Sequence, residues 1–166
     1  MALSEVFAER LSETARILVV RLDGIGDAIM CAGFFMALRN LFPNGHITAV
    51  LDQKTTPLYA EGALFDALVS PGGGAIQSDY DLAICPRWDV DYYGEGRIAM
   101  DSGAPIRIGF LRPDDPRDST RSEVFTHTVH VDADMHEVDK SAALLRLLDE
   151  TAVPPPLYTD VEDHAA

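Results

Sequence analysis

The chain has 166 residues, 47% apolar and 24% charged, which fits a soluble globular protein of one domain, or two at most. Thirteen Lys and Arg stand against 27 Asp and Glu, a formal net charge of −14 at neutral pH. A surface that acidic repels phosphate backbones and anionic lipid, which argues against nucleic acid as a partner and leaves room only for a local basic pocket.

Residues 1–15 read as a short amphipathic helical extension, with Leu3, Val6, Phe7 and Leu11 at roughly helical spacing. Arg16–Leu22 is an apolar, β-branched run of the kind buried on both faces of a sheet. After the turn Asp23-Gly24-Ile25-Gly26-Asp27, a helix is predicted from about Asp27 to Leu41, stopped by Pro43, Asn44 and Gly45. Strands follow at 46–51, 66–69, 80–84, 105–109 and 126–131. Helices are expected at 56–64, 91–101 and 136–150, and Pro154-Pro155-Pro156 ends the last one. Strands alternating with helices predict an α/β, Rossmann-like fold with a mostly parallel sheet over residues 16–152, followed by a Pro-rich acidic tail at 153–166. Ligands of such sheets sit beyond the carboxyl ends of the strands.

No basic segment followed by an apolar core opens the chain, and no apolar run is long enough to cross a bilayer. Cys31 and Cys85 form no paired motif, as in a reducing compartment. The expected location is the cytoplasm.

The turn after the first strand is the first place to look for chemistry. Gly24 and Gly26 let the backbone approach a ligand closely, and the helix that follows offers unpaired N–H groups. Asp27 in its first turn is open to two readings: a complement to the helix dipole, or a base that takes a proton from a substrate hydroxyl. Gly24-x-Gly26 also supplies two glycines of a dinucleotide fingerprint. Position 29 is Ile where the third small residue belongs, and Asp52 lies 28 residues beyond Gly24, roughly where an acid could meet a ribose.

Arg16–Met30, with Ala37-Leu38-Arg39, Phe42-Pro43, Tyr80-Asp81-Leu82, Arg107-Ile108-Gly109-Phe110 and His136-Glu137-Val138, resembles glycosyltransferase family 9, the ADP-heptose:lipopolysaccharide heptosyltransferase-like proteins. The resemblance spans about residues 16 to 150. It implies the N-terminal, acceptor-side half of a two-domain GT-B enzyme, with Asp27 as general base and neither metal nor cofactor. The reaction it implies moves a heptose-like sugar from a nucleotide-sugar donor to a glycan or lipid-linked acceptor, which would be met at the cytoplasmic face of the inner membrane. The donor-binding second domain of that family is not matched, so the chain alone is expected to be inactive. A homodimer or a partner subunit is expected on the face where that domain would pack. Two alternatives stand beside this reading: a dinucleotide-binding oxidoreductase module, and a non-catalytic sugar- or nucleotide-binding module.

Lesser candidates follow the fourth and fifth strands. Trp88 could stack on a sugar while Asp89 binds its hydroxyls, and Arg87, Asp91, Tyr92 and Tyr93 lie in the same loop. Arg112, Arg117 and Arg121 could recognise phosphate, or pair with the neighbouring acids. His127, His130, Asp132, Asp134 and His136 lack the coherent spacing of a metal site. Cys31, among apolar neighbours, reads as a core thiol.

Overall fold

The computed structural model describes residues 11–72, 78–112, 115 and 121–153. Of the expected N-terminal helical extension, residues 1–10 fall outside them and 11–15 are a turn rather than helix; residues 154–166 and Arg117 also fall outside. The six strands are β1 (Arg16–Arg21), β2 (His46–Leu51), β3 (Ala67–Val69), β4 (Leu82–Ile84), β5 (Ile106–Phe110) and β6 (His127–Val129). The helices are α1 (Ile25–Met30), α2 (Ala32–Leu41), α3 (Glu95–Asp101), α4 (Arg121–Val124) and α5 (Glu137–Leu148).

The strands form one sheet in the order β3-β2-β1-β4-β5-β6, and every pairing is parallel. This is the expected Rossmann-like α/β architecture. From β1 the chain winds outward through β2 and β3, then returns to the other side of β1 as β4. Ile17 of β1 accordingly sits between Ile47 and Leu82. The reversal opens a crevice beyond the carboxyl ends of β1 and β4.

Side chains of β1 alternate between two apolar layers because successive strand residues point to opposite faces. Ile17 and Val19 join Phe34, Phe35 and Leu38 of α2 and Leu144 and Leu145 of α5. Leu18 and Val20 join Ala83, Ala99 of α3 and Phe125. Each fully buried Leu, Ile or Phe in these layers contributes about 1.5–3 kcal/mol of transfer free energy. Phe35, Tyr59 and Phe65 extend the first layer as a triangle of edge-to-face rings with centroids 5.0 to 5.7 Å apart. The Tyr59 hydroxyl donates to the Ala28 carbonyl at 2.5 Å, tying this cluster to α1.

All six expected strands are present, with ends shifted by at most two residues. The helices differ more. The one helix predicted at 27–41 begins at Ile25 and is interrupted at Cys31, whose N–H is shared between the Asp27 and Ala28 carbonyls at 3.1 and 3.2 Å. The helix predicted at 56–64 contracts to a single 3-10 turn, Thr56–Tyr59. There the Asp52 carbonyl accepts from the amides and hydroxyls of both Thr55 and Thr56, all at 3.0 Å, and these bonds compete with helix propagation. The helix predicted from 91 starts at Glu95, because the Asp91 carboxylate accepts the Glu95 and Gly96 amides at 2.8 Å and Gly94 takes a φ of +78°. Sequence patterning missed the short turn α4.

Gly109 on β5 is dictated by packing. A Cβ there would lie 2.5 Å from the ring of the buried Phe125. Gly109→Ala is therefore expected to lower stability by about 1–3 kcal/mol through overpacking, as read from urea unfolding midpoints. A variant as stable as the parent would mean that the second layer is looser than described.

Candidate functional site

β1 ends on Arg21, a guanidinium only 5% exposed. Its Nε and Nη2 each lie 2.7 Å from an Asp23 carboxylate oxygen, and its Nη1 donates to the Pro86 carbonyl just beyond β4. One buried side chain thus fastens together the two loops that flank the chain reversal. Burial raises the Asp23 carboxyl above its ordinary range despite the opposing pull of Arg21. The pair is held in place at a desolvation cost, and removing one partner would strand a buried charge.

Between these loops lies a cavity of about 340 Å³. Asp23, Gly24 and Asp27 line it from the β1 side, Arg87, Trp88, Asp89 and Tyr93 from the β4 side, and Glu137 from the start of α5. The structure thereby brings together six of the residues singled out from sequence: Gly24, Asp27, Arg87, Trp88, Asp89 and Tyr93. Arg112 stands beside them, 3.1 Å from the Asp89 carboxylate and with its guanidinium carbon 4.9 Å from the Trp88 ring centroid. Gly26 does not line the cavity, and a Cβ built on it meets no heavy atom within 4 Å.

Most charges here are already matched. Arg112 also pairs with Asp115 at 2.9 Å. Glu137 accepts from Lys140 at 2.9 Å and from the Trp88 indole N–H. The Lys140 ammonium stands 3.4 Å from the Trp88 ring centroid, so one indole face is covered by a cation rather than open to a sugar. Arg121 donates to the carbonyls of Arg87 (3.1 Å), Phe110 (3.4 Å) and Asp89, bracing the β4 loop from within. One carboxylate of the cavity is unmatched, and one guanidinium meets its partner only loosely. The Asp27 carboxylate makes no hydrogen bond or ion pair among the described residues, and no side chain caps α1. Arg87 meets Glu95 across 4.0 Å, and its buried Nε and Nη1 make no hydrogen bond.

Glu95 is a site residue that sequence reading passed over. It is 2% exposed, accepts the Leu22 amide at 2.6 Å and lies 4.0 Å from Arg87 Nη1. Burial pushes its carboxyl up to about 7, against the pull of the Leu22 amide and Arg87. The signal available in the sequence was Asp91 followed by Gly94-Glu95, a cap, a turn and an acid at a helix start.

Elsewhere the sequence candidates are occupied locally. Asp52 Oδ1 accepts the Lys54 amide at 2.9 Å. His127 Nδ1 lies 2.9 Å from the Thr126 hydroxyl, His130 Nδ1 is 3.3 Å from the Leu111 carbonyl, and His136 accepts the Val138 amide at the cap of α5. Among the described residues, no three His, Cys, Asp or Glu are grouped to hold a metal ion. Cys31 and Cys85 are buried, and burial pushes the Cys31 thiol up to about 12, away from a reactive thiolate. No helix of the described residues is long and apolar enough to cross a membrane.

The fold is shared with family 9 glycosyltransferases of known structure. A glycosyl transferase family 9 protein from Veillonella parvula superimposes with a TM-score of 0.64 at 20% identity, over 88% of this chain and 44% of that one. E. coli heptosyltransferase WaaC, solved with ADP, gives 0.65 at 15% identity, over 84% and 48%. E. coli ADP-heptose lps heptosyltransferase II gives 0.58 at 16% identity, over 86% and 45%. The chain thus spans about half the length of the solved structures it resembles. No protein-family model matches the sequence, and no curated protein matches it.

Two predictions follow from the site's geometry. Gly26→Ala fills open space inside α1, where Ala is the better helix former, so stability should hold or rise by up to about 1 kcal/mol in thermal unfolding. A marked loss of stability would show that the turn needs glycine at this position. For Glu95, the folded value near 7 exceeds the ordinary 4.5, so the folded state holds the extra proton between those values. Stability should therefore fall as pH rises from about 4.5 to about 7, by on the order of 3 kcal/mol. Urea unfolding of Glu95→Gln across that range should show a flatter slope than the parent, and an unchanged slope would discard this assignment.

Proposed function

We propose that this chain is the acceptor-side half of a nucleotide-sugar-dependent glycosyltransferase, acting on a glycan or lipid-linked acceptor with a heptose-like donor. The observation that carries the reading is the unmatched Asp27 carboxylate on a cavity at the chain reversal of a Rossmann-like sheet. A carboxylate without competing donors is available to a substrate hydroxyl. The shared fold of the heptosyltransferase structures supports the same reading.

In the proposed reaction, Asp27 accepts the proton of the acceptor hydroxyl as its oxygen attacks the anomeric carbon of the donor. The bond from that carbon to the diphosphate breaks, and the nucleoside diphosphate leaves with the electron pair. Gly24 keeps the approach to Asp27 low, since a Cβ there would come to 3.4 Å from its Oδ2. Asp89, half exposed at its side chain, offers an acceptor for sugar hydroxyls, and Arg112 and Trp88 form the rim beside it. Charge developing on the leaving diphosphate needs its own donors, which this reading assigns to a second, donor-binding half in the same polypeptide or in a partner subunit. The dinucleotide alternative is not favoured: Asp52, the acid it needs, is committed to the Lys54 amide.

The test is Asp27→Asn, assayed with a donor-binding half by release of nucleoside diphosphate from the nucleotide sugar. Loss of the base should lower kcat by about 10²–10⁴-fold with little change in acceptor KM. Retention of most of kcat would remove Asp27 from the chemistry and leave a binding module.

A further inference from the structure

Glu95 stands between the two loops of the chain reversal and faces both. Its Oε1 accepts the Leu22 amide, at the start of the β1 loop, at 2.6 Å and lies 4.0 Å from Nη1 of Arg87 in the β4 loop. A hydrogen bond needs about 2.7–3.2 Å, so the first contact is made and the second falls short by about 1 Å. Both side chains are buried, and Arg87 Nε and Nη1 make no hydrogen bond.

The other groups around Glu95 are already committed. Arg21 faces it from β1 and is bound by Asp23. Asp91 commits both carboxylate oxygens to the amides of Glu95 and Gly96, and the Cys85 thiol donates to the Glu95 carbonyl. Burial keeps the Cys31 and Cys85 thiols protonated, so neither adds a second anion. From α4, Arg121 lines a cavity of about 240 Å³ together with Glu95 and donates to carbonyls of the β4 loop.

Arg21 pins the backbone of that loop at the Pro86 carbonyl and Arg121 pins it at the Arg87 carbonyl, which leaves the Arg87 side chain as the part that can move. Tyr93 and Tyr92 rest on its guanidinium, with centroids 4.9 and 5.9 Å from Cζ, and Trp88 follows it directly. Arg87, Trp88 and Tyr93 all line the candidate cavity.

We propose that Glu95 is a proton-operated latch between the two loops. Ionised, it draws the Arg87 guanidinium into a direct ion pair and sets Trp88 and Tyr93 in the cavity wall. Protonated, it keeps the Leu22 amide and lets Arg87 go, which is the arrangement with the 4.0 Å gap. Burial, with Asp23 adding to it, delays ionisation to about pH 7 against the pull of the Leu22 amide, Arg87 and Arg21. The latch acts on the shape of the cavity and operates whatever ligand enters it.

Trp88 is the only tryptophan, so the emission of the full chain reports on this wall. Emission would be followed across about two pH units on either side of 7. The expected result is a single one-proton step with its midpoint near 7. With carbon-13 at the glutamate carboxyls of the parent chain, one resonance should titrate at the same midpoint. Glu95→Gln, which keeps an acceptor for the Leu22 amide without the charge, should abolish the emission step. Arg87→Gln, which removes the cation that answers that charge, should abolish it too. Imidazoles change charge in the same range, and His136 caps α5 beside Glu137, which accepts from the Trp88 indole. His136→Asn keeps a capping side chain and should keep the step.

A flat parent profile, or no glutamate carboxyl titrating with the emission, would overturn the proposal. So would a step that survives in either glutamine variant or is lost in His136→Asn. The first two outcomes need no variant, so a variant that fails to fold does not shield the latch. None of these readouts involves turnover, which keeps them separate from the kcat test of Asp27.

Discussion

The buried Arg21–Asp23 pair is the interaction on which the rest of the site depends. A parallel sheet that reverses its winding leaves two strand ends side by side with nothing between their loops but the side chains those ends supply. Here the closing element is a guanidinium, bonded to its own loop through Asp23 and to the other through the Pro86 carbonyl. Arg121 repeats the arrangement one strand over, reaching carbonyls of the β4 loop and the end of β5. Backbone carbonyls that cannot reach water are satisfied by planar donors, and the loops gain fixed positions without secondary structure of their own.

The result is a cavity whose electrostatics are nearly closed. Acids and bases alternate around it, and most meet a partner within 3.1 Å. Burial works against charge throughout, as the raised carboxyls of Asp23 and Glu95 show. In such surroundings an unmatched charge is the exception, and Asp27 is that exception. A ligand that offers a hydroxyl to Asp27 would leave the pairs already made in place.

The strands were legible because buried parallel strands announce themselves as β-branched runs, as in Arg16–Arg21 and His46–Leu51. Helix ends were less so. The tight 3-10 start at Thr56 involves the Asp52 carbonyl meeting two threonines, and the late start at Glu95 the Asp91 carboxylate meeting two amides. Both rest on local side-chain and backbone bonds, and hydrophobic periodicity carries no trace of them. Asp27 was legible because a Gly-Asp turn between a strand and a helix has few placements. Arg87 and Glu95 owe their state to burial supplied by α3, the tyrosines and Arg121. Sequence placed Arg87 in a candidate loop, but neither its burial nor that of Glu95 could be read from residue type.

The two cysteines have a consequence of their own. Cys31 belongs to the apolar layer beneath α2 and α5, and Cys85 to the layer on the opposite side of the sheet, beneath α3. Neither thiol reaches solvent in the folded state. Alkylation of each sulfur therefore requires its own layer to part from the sheet, and the two reaction rates form a pair of independent clocks for local opening. Unequal rates would reveal which side of the sheet breathes, and equal rates would mean that both layers come away only when the whole domain unfolds.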